Sequence, residues 1–161
     1  EANPVARIPT LITDEGVALG DSTIVCLHLN EIAAPRSLIP AGKIERQRMW
    51  SLYAVADGVL EAQIAMRAEM LRSAETRSDS FLEKQRGRIR RWLDALERDV
   101  GHLGGPLDLA QITTGIALGY QDWREWLDDF RPGRPRLAAW YDRFAELPSM
   151  KETEPRETPT A

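Results

Sequence analysis

The sequence predicts an α+β fold that is mostly α: a β-hairpin and one helix, a linker, then an all-helical bundle of about five helices. Three observations carry that reading. Residues 8–20 hold the strand signal, short, β-branched and apolar around a turn. From residue 21 onward, apolar residues recur at steps of three and four, the period of an amphipathic helix. Between these regions Pro35 to Pro40 reads as a linker and marks a domain boundary.

The elements follow in order. Ile8-Pro9-Thr10-Leu11-Ile12-Thr13 forms a strand, Asp14-Glu15-Gly16 supplies the turn, and Val17-Ala18-Leu19 returns. Two strands alone are marginal in water, and no later segment offers strand partners. Asp21-Ser22 caps a helix that ends near Ala34-Pro35. A long helix runs from Lys43 to about Ser73, with Leu52, Val55, Val59, Ala62, Met66 and Met70 as its stripe. Ser78-Asp79-Ser80 opens the next, whose stripe is Leu82, Ile89, Leu93, Leu96 and Val100, and Gly104-Gly105-Pro106 stops it. Asp108 and Gln111 then stand as N-cap and N3 of a capping box, with Leu107 and Ile112 at the staple positions. This capping is structural and is assigned no chemistry. Arg131-Pro132-Gly133 breaks the chain before a last helix with Pro135 at N1, burying Leu137, Trp140, Tyr141 and Phe144. Residues 151–161, rich in Glu, Thr and Pro, read as a mobile tail.

Composition narrows the function. The 161 residues are 43% hydrophobic, enough for a core, which excludes bulk disorder. With 21 Lys and Arg against 25 Asp and Glu, the formal charge of −4 argues against a binder of nucleic acid, and no apolar run is long enough to cross a bilayer. The basic run of Lys84, Arg86, Arg88, Arg90 and Arg91 alternates with acids and reads as a solvated helix face. One cysteine, Cys26, excludes an internal disulfide; it reads as a small buried hydrophobe. Two histidines, His28 and His102, leave little material for a metal centre, so no metal is expected. The chain opens on Glu1 without an initiator methionine or targeting segment, as though entering a fold already under way.

Three passages, in order and suitably spaced, carry a family resemblance. They are Asn3-Pro4-Val5-Ala6-Arg7-Ile8-Pro9-Thr10-Leu11, Leu19-Gly20-Asp21-Ser22-Thr23-Ile24-Val25, and Arg134-Pro135-Arg136-Leu137-Ala138-Ala139-Trp140-Tyr141-Asp142-Arg143-Phe144 with Pro148-Ser149 behind it. The chain resembles a bacterial cytosolic glutathione transferase over residues 3–150. The first passage looks like the loop and strand with the family's cis-proline, the second like its acidic-Ser motif, the third like its final helix. Ala6 departs from the family's frequent glycine and His28 from its frequent tyrosine. The family's opening β-α-β, which carries the thiol-activating Ser, Cys or Tyr, has no counterpart here, so the catalytic residue is unknown. The resemblance implies a truncated thioredoxin-like N-terminal portion at 1–34, a linker at 35–42 and an all-helical C-terminal domain at 43–150.

Site residues follow from the resemblance, each beside a plainer reading. Locally, Ile8-Pro9 reads better as a trans proline entering an edge strand; the resemblance implies a cis bond with the Ile8 backbone free to pair with glutathione. Asp21 and Ser22 read as an N-cap, and the resemblance implies that the same helix N-terminus holds the γ-glutamyl end. Arg7 is a candidate for the glycyl carboxylate or a solvated arginine. Asp57 is a solvated carboxylate or an acid reaching a partner subunit's site, and Gly58 beside it hints at close approach by another backbone or a ligand. Trp50, Tyr53 and Trp123, with Trp126, line an apolar cleft for the co-substrate or pack the core; Trp92 and Trp140 are core residues.

The resemblance implies a cytoplasmic, homodimeric detoxification enzyme that takes glutathione and a small electrophile as substrates, without a membrane or nucleic-acid partner. The rival reading is a transferase-fold interaction module without turnover.

Overall fold

The computed structural model describes residues 3–33 and 37–156. By internal packing the chain divides into two units, Glu1–Ala41 and Gly42–Ala161.

In the first unit, β1 (Thr10–Ile12) pairs antiparallel with β2 (Ala18–Gly20), placing Leu11 opposite Leu19. The hairpin is shorter at its start than the apolar run suggests, because Pro9 has no N–H to give a ladder. Gly16 closes the turn at φ 80°, its N–H donating to the Thr13 carbonyl at 2.9 Å. Helix α1 spans Ser22–Ile32, and Asp21 caps it by accepting from the Thr23 N–H at 2.9 Å. Ala34 and Pro35, expected near its end, lie outside the described residues.

Helix α1 buries none of its residues, which corrects the reading of Cys26. Its thiol is exposed, although nearby atoms desolvate it enough to push its pKa up. Ile24, Leu29 and Ile32 are exposed as well, so apolar neighbours in sequence did not imply a buried helix.

The second unit holds α2 (Lys43–Met70), α3 (Asp79–Asp99), a 3₁₀ turn at Val100–Leu103, α4 (Leu109–Trp123), α5 (Pro135–Ala145) and α6 (Pro148–Glu152). On α2 the buried stripe is Met49, Ala56, Val59, Ala62, Gln63 and Met66. Val55, expected in that stripe, is 45% exposed, because it stands about 100° round the helix from the buried Ala56. Asp57 lies off the stripe, half-buried. A Cβ added at Gly58 meets no atom within 4 Å, so the close approach suggested there is not made among the described residues.

Helix α3 starts as its sequence indicates, the Ser78 hydroxyl accepting from the Phe81 N–H at 3.3 Å. Helix α4 starts on Asp108, which accepts from the Gln111 N–H at 2.9 Å. The reciprocal half of the box is altered: the Gln111 side chain donates to the Pro106 carbonyl at 2.8 Å. Burial pushes the Asp108 pKa up, against the pull of the Gln111 and Ala110 N–H groups.

The core of this unit gathers around α4, against α2 and α5. Trp92 and Trp140 are buried as expected, and the Trp140 indole donates to the Leu103 carbonyl at 2.9 Å. Helix α5 begins at Pro135, and Glu97 from α3 accepts from the Leu137 N–H at 2.7 Å. A carboxylate at a helix N-terminus offsets the partial positive charge there. Helix α6 takes in Lys151 and Glu152, the first residues of the expected tail; residues 157–161 lie outside those described.

Candidate functional site

The first unit contains a cleft of about 300 Å³ bounded by Asn3, Val5, Arg7, Ile8, Gly20, Asp21 and Ser22. Asn3 organises its loop. The Asn3 amide donates to the Arg7 carbonyl at 2.9 Å and to Thr10 Oγ1 at 3.0 Å, while its Oδ1 accepts from the Val5 N–H at 3.0 Å. This network folds the loop back on β1 and turns residues 5–8 toward the helix start. Within it Ala6 has φ 51°, a left-handed conformation that explains why glycine suits this position.

Ile8-Pro9 is cis. Ile8 is 94% exposed, and its backbone N–H and C=O make no hydrogen bond among the described residues. They resemble an unpaired strand edge, able to bond an extended ligand backbone. Across the cleft Asp21 has φ 76° and ψ 133°, a strained conformation for a non-glycine residue. Its Oδ1 caps α1, which leaves Oδ2 outside the cap hydrogen bond. Ser22 stands at N1, and its hydroxyl bonds nothing among the described residues, so the cap belongs to Asp21 alone.

Each group suits a different part of one ligand. A helix N-terminus with a hydroxyl takes a carboxylate, an acidic oxygen takes an ammonium, a free backbone pair takes a peptide unit, and Arg7 takes a second carboxylate. That combination fits a small zwitterionic peptide. Arg7, Ile8, Asp21 and Ser22 thus share one cleft, with Pro9 setting the turn beside it.

The remaining sequence-stated candidates belong to the second unit. Asp57 is on α2, as are Trp50 and Tyr53, whose rings meet edge to face at 5.5 Å. Trp123 instead lines a cavity of about 700 Å³ together with Tyr120 and Tyr141, to which neither Trp50 nor Tyr53 contributes. Trp126 packs against the core. Sequence reasoning did not single out Asn3, whose sign was its place before Pro4, or Tyr141, which read only as core.

No family model matches the chain. Among curated proteins it is 31% identical over 159 residues to the uncharacterized GST-like protein YibF of Escherichia coli (strain K12), covering 95% of this chain and 77% of that protein. The chain belongs to the glutathione transferase family. Solved members of the family superpose closely. A glutathione transferase family member from Pseudomonas fluorescens Pf-5 with bound glutathione matches at TM-score 0.92 and 37% identity, covering 97% of this chain and 77% of that one. A glutathione S-transferase from Methylobacillus flagellatus KT, also with glutathione bound, matches at TM-score 0.89 and 29% identity, over 96% of this chain and 79% of that one.

As a member of this family, the chain has the family's fold: a two-stranded, one-helix part of the thioredoxin-like domain, then the all-helical domain. Among the described residues no group of three or more His, Cys, Asp and Glu could hold a metal, and no helix is long and apolar enough to cross a membrane.

Proposed function

We propose that this glutathione transferase binds glutathione in the Ile8–Ser22 cleft and supports attack of its thiolate on a small, mostly apolar electrophile. The observation that carries this reading is the unpaired Ile8 backbone facing the strained, capped start of α1 across one cleft. Solved relatives at 37% and 29% identity are described with glutathione bound, which supports the same ligand here.

The Ile8 N–H and C=O pair with the cysteinyl backbone of glutathione. Ser22 and the α1 N-terminus hold the γ-glutamyl carboxylate, Asp21 the ammonium, and Arg7 the glycyl carboxylate. In the reaction a C–S bond forms from the thiolate sulfur to the electrophilic carbon, and the leaving group departs with its electron pair. The thiolate is the nucleophile, so the reaction needs a donor that lowers the thiol pKa. No residue described here is assigned that task. Trp50 and Tyr53, whose rings meet on α2, are proposed for the co-substrate cleft of a cytoplasmic enzyme of detoxification, and Trp123, expected beside them, lines a different cavity.

The enzyme is proposed as a homodimer in which Asp57 of one subunit faces the γ-glutamyl ammonium held by the other. Retention on immobilised glutathione and turnover of a generic aryl halide test the whole reading. Absence of both overturns it, and retention without turnover favours an interaction module of the same fold.

A further inference from the structure

The basic run on α3 alternates with acids in sequence, and the helix separates the two. Lys84, Arg88, Arg91 and Arg98 recur at steps of four, three and seven, so they fall on one stripe of the helix surface. All four are exposed, and none is in an ion pair among the described residues. The positions between them on the stripe are Gly87 and Ala95, so no acid interrupts it. From residue 84 to residue 98 the helix rises about 21 Å.

The acids of the same helix are engaged elsewhere. Glu83 pairs with Arg90, Asp94 accepts from Arg134 at 2.6 Å, and Glu97 accepts from the Leu137 N–H at 2.7 Å. Asp79 and Asp99 stand at the first and last residues of α3. The start of α5 thus holds two of these carboxylates on its own side. It also adds a cation, since Arg136 Nη1 donates to the Glu97 and Arg98 carbonyls at 3.2 and 3.3 Å.

Two of the arginines are already partly ordered. Arg88 Nη1 donates to Gln85 Oε1 at 3.1 Å. Arg91 Nη1 lies 3.4 Å from where a Cβ on Gly87 would stand, so its guanidinium folds back along the helix over the glycine. Side chains held in this way lose less freedom on binding, and the planar fork of a guanidinium suits a carboxylate.

We propose that the α3 stripe docks a helical acidic segment of a partner protein, its carboxylates repeating at the same steps of three and four. The small Gly87 and Ala95 let a facing helix approach between the cations. A membrane surface fits less well, because the apolar face of α3 is buried in the core and none is left to enter lipid. A nucleic acid also fits less well: the chain's formal charge of −4 repels a dense polyanion, whereas a short acidic helix carries few charges.

The test uses two alanine-rich peptides of about 20 residues, long enough to hold a helix. Both carry four glutamates, set on one face at i, i+4, i+7 and i+11 in the first and spread round the helix in the second. Fluorescence anisotropy with the full chain in about 20 mM salt is expected to show the one-face peptide bound saturably and about tenfold tighter than the spread one, a difference that fades in about 300 mM salt. Arg88→Glu with Arg91→Glu should abolish the preference, and Lys84→Glu with Arg98→Glu should do so independently. Lys43→Glu with Arg48→Glu, the same change in net charge at exposed positions on α2, should keep it. No saturable binding, equal affinity for the two peptides, a preference that survives both α3 variants, or tighter binding of a short DNA duplex or of phosphatidylglycerol vesicles overturns the proposal.

Discussion

Gln63 on α2 donates its side-chain amide to Gln121 Oε1 on α4 at 3.1 Å, and the same nitrogen reaches the Ala117 carbonyl at 3.0 Å. Both glutamines are buried, at 0% and 4% exposure. Gln121 passes the link on, donating to the Asp128 carbonyl at 2.7 Å, so one polar chain ties two core helices to the loop before α5.

Gln63→Leu strands the Gln121 oxygen in the core, and an unsatisfied buried acceptor costs about 1–3 kcal/mol. Some of that loss is returned, because Gln63 Oε1 is itself buried without a donor among the described residues. Urea unfolding should place Gln63→Leu and Gln121→Leu each below the parent, with the double variant losing less than their sum. Strict additivity would show that the two amides are not coupled.

Gly115 makes a second, tighter contact between α4 and its neighbour. A Cβ built there falls 2.2 Å from Phe144 Cε1, and Phe144 is buried and stacked on Trp140 with centroids 4.8 Å apart. The ring has no easy retreat. Gly115→Ala should therefore destabilise by about 1–3 kcal/mol through overpacking, despite alanine's better helix propensity. Adding Phe144→Leu should recover part of the loss. A rise in melting temperature for Gly115→Ala alone would contradict the packing argument.

Local chemistry decided how much of this structure was legible in the sequence. Asp108, Ser78 and Pro135 act within a turn of where they stand, so three helix starts were readable directly. Ile8-Pro9 was not: its neighbours favour a trans proline, and only the resemblance pointed to cis. Cys26 misled because Val25, Leu27 and Leu29 look like a buried environment, whereas burial depends on what packs against α1. Gln63 and Gln121 occupy core positions but break the apolar pattern, so their link could not be seen before the helices were placed. Tyr141 was correctly read as buried; that its hydroxyl stands against Gly119, a full helix away in sequence, depends on the packing of α4 on α5.

Ser22 separates binding from capping. Asp21 supplies the α1 cap, so Ser22→Ala removes no cap hydrogen bond and should leave the melting temperature almost unchanged. A hydrogen bond to a ligand carboxylate is worth roughly 1.5–3 kcal/mol, so glutathione affinity should fall by about tenfold or more. Unaltered affinity would return Ser22 to an ordinary first helical residue.

Tyr141 makes a prediction about alkaline pH. Its phenol is pushed up first by burial and then by the Asp122 carboxylate, with Arg131 opposing. Below the ordinary tyrosine value of about 10 both folded and unfolded chains hold the proton, and the group contributes nothing to pH dependence. As pH rises through that value the unfolded chain loses the proton while the folded one keeps it, so stability falls with rising pH. Tyr141→Phe removes this linkage without removing the ring contact to Phe130 at 5.4 Å. Urea midpoints at pH about 8 and about 10.5 should therefore shift in favour of the variant at the higher pH, while lysine titration affects both proteins alike. A parent–variant difference that stays constant across that interval would mean that Tyr141 keeps an ordinary pKa and that its hydroxyl is better hydrated than its burial implies.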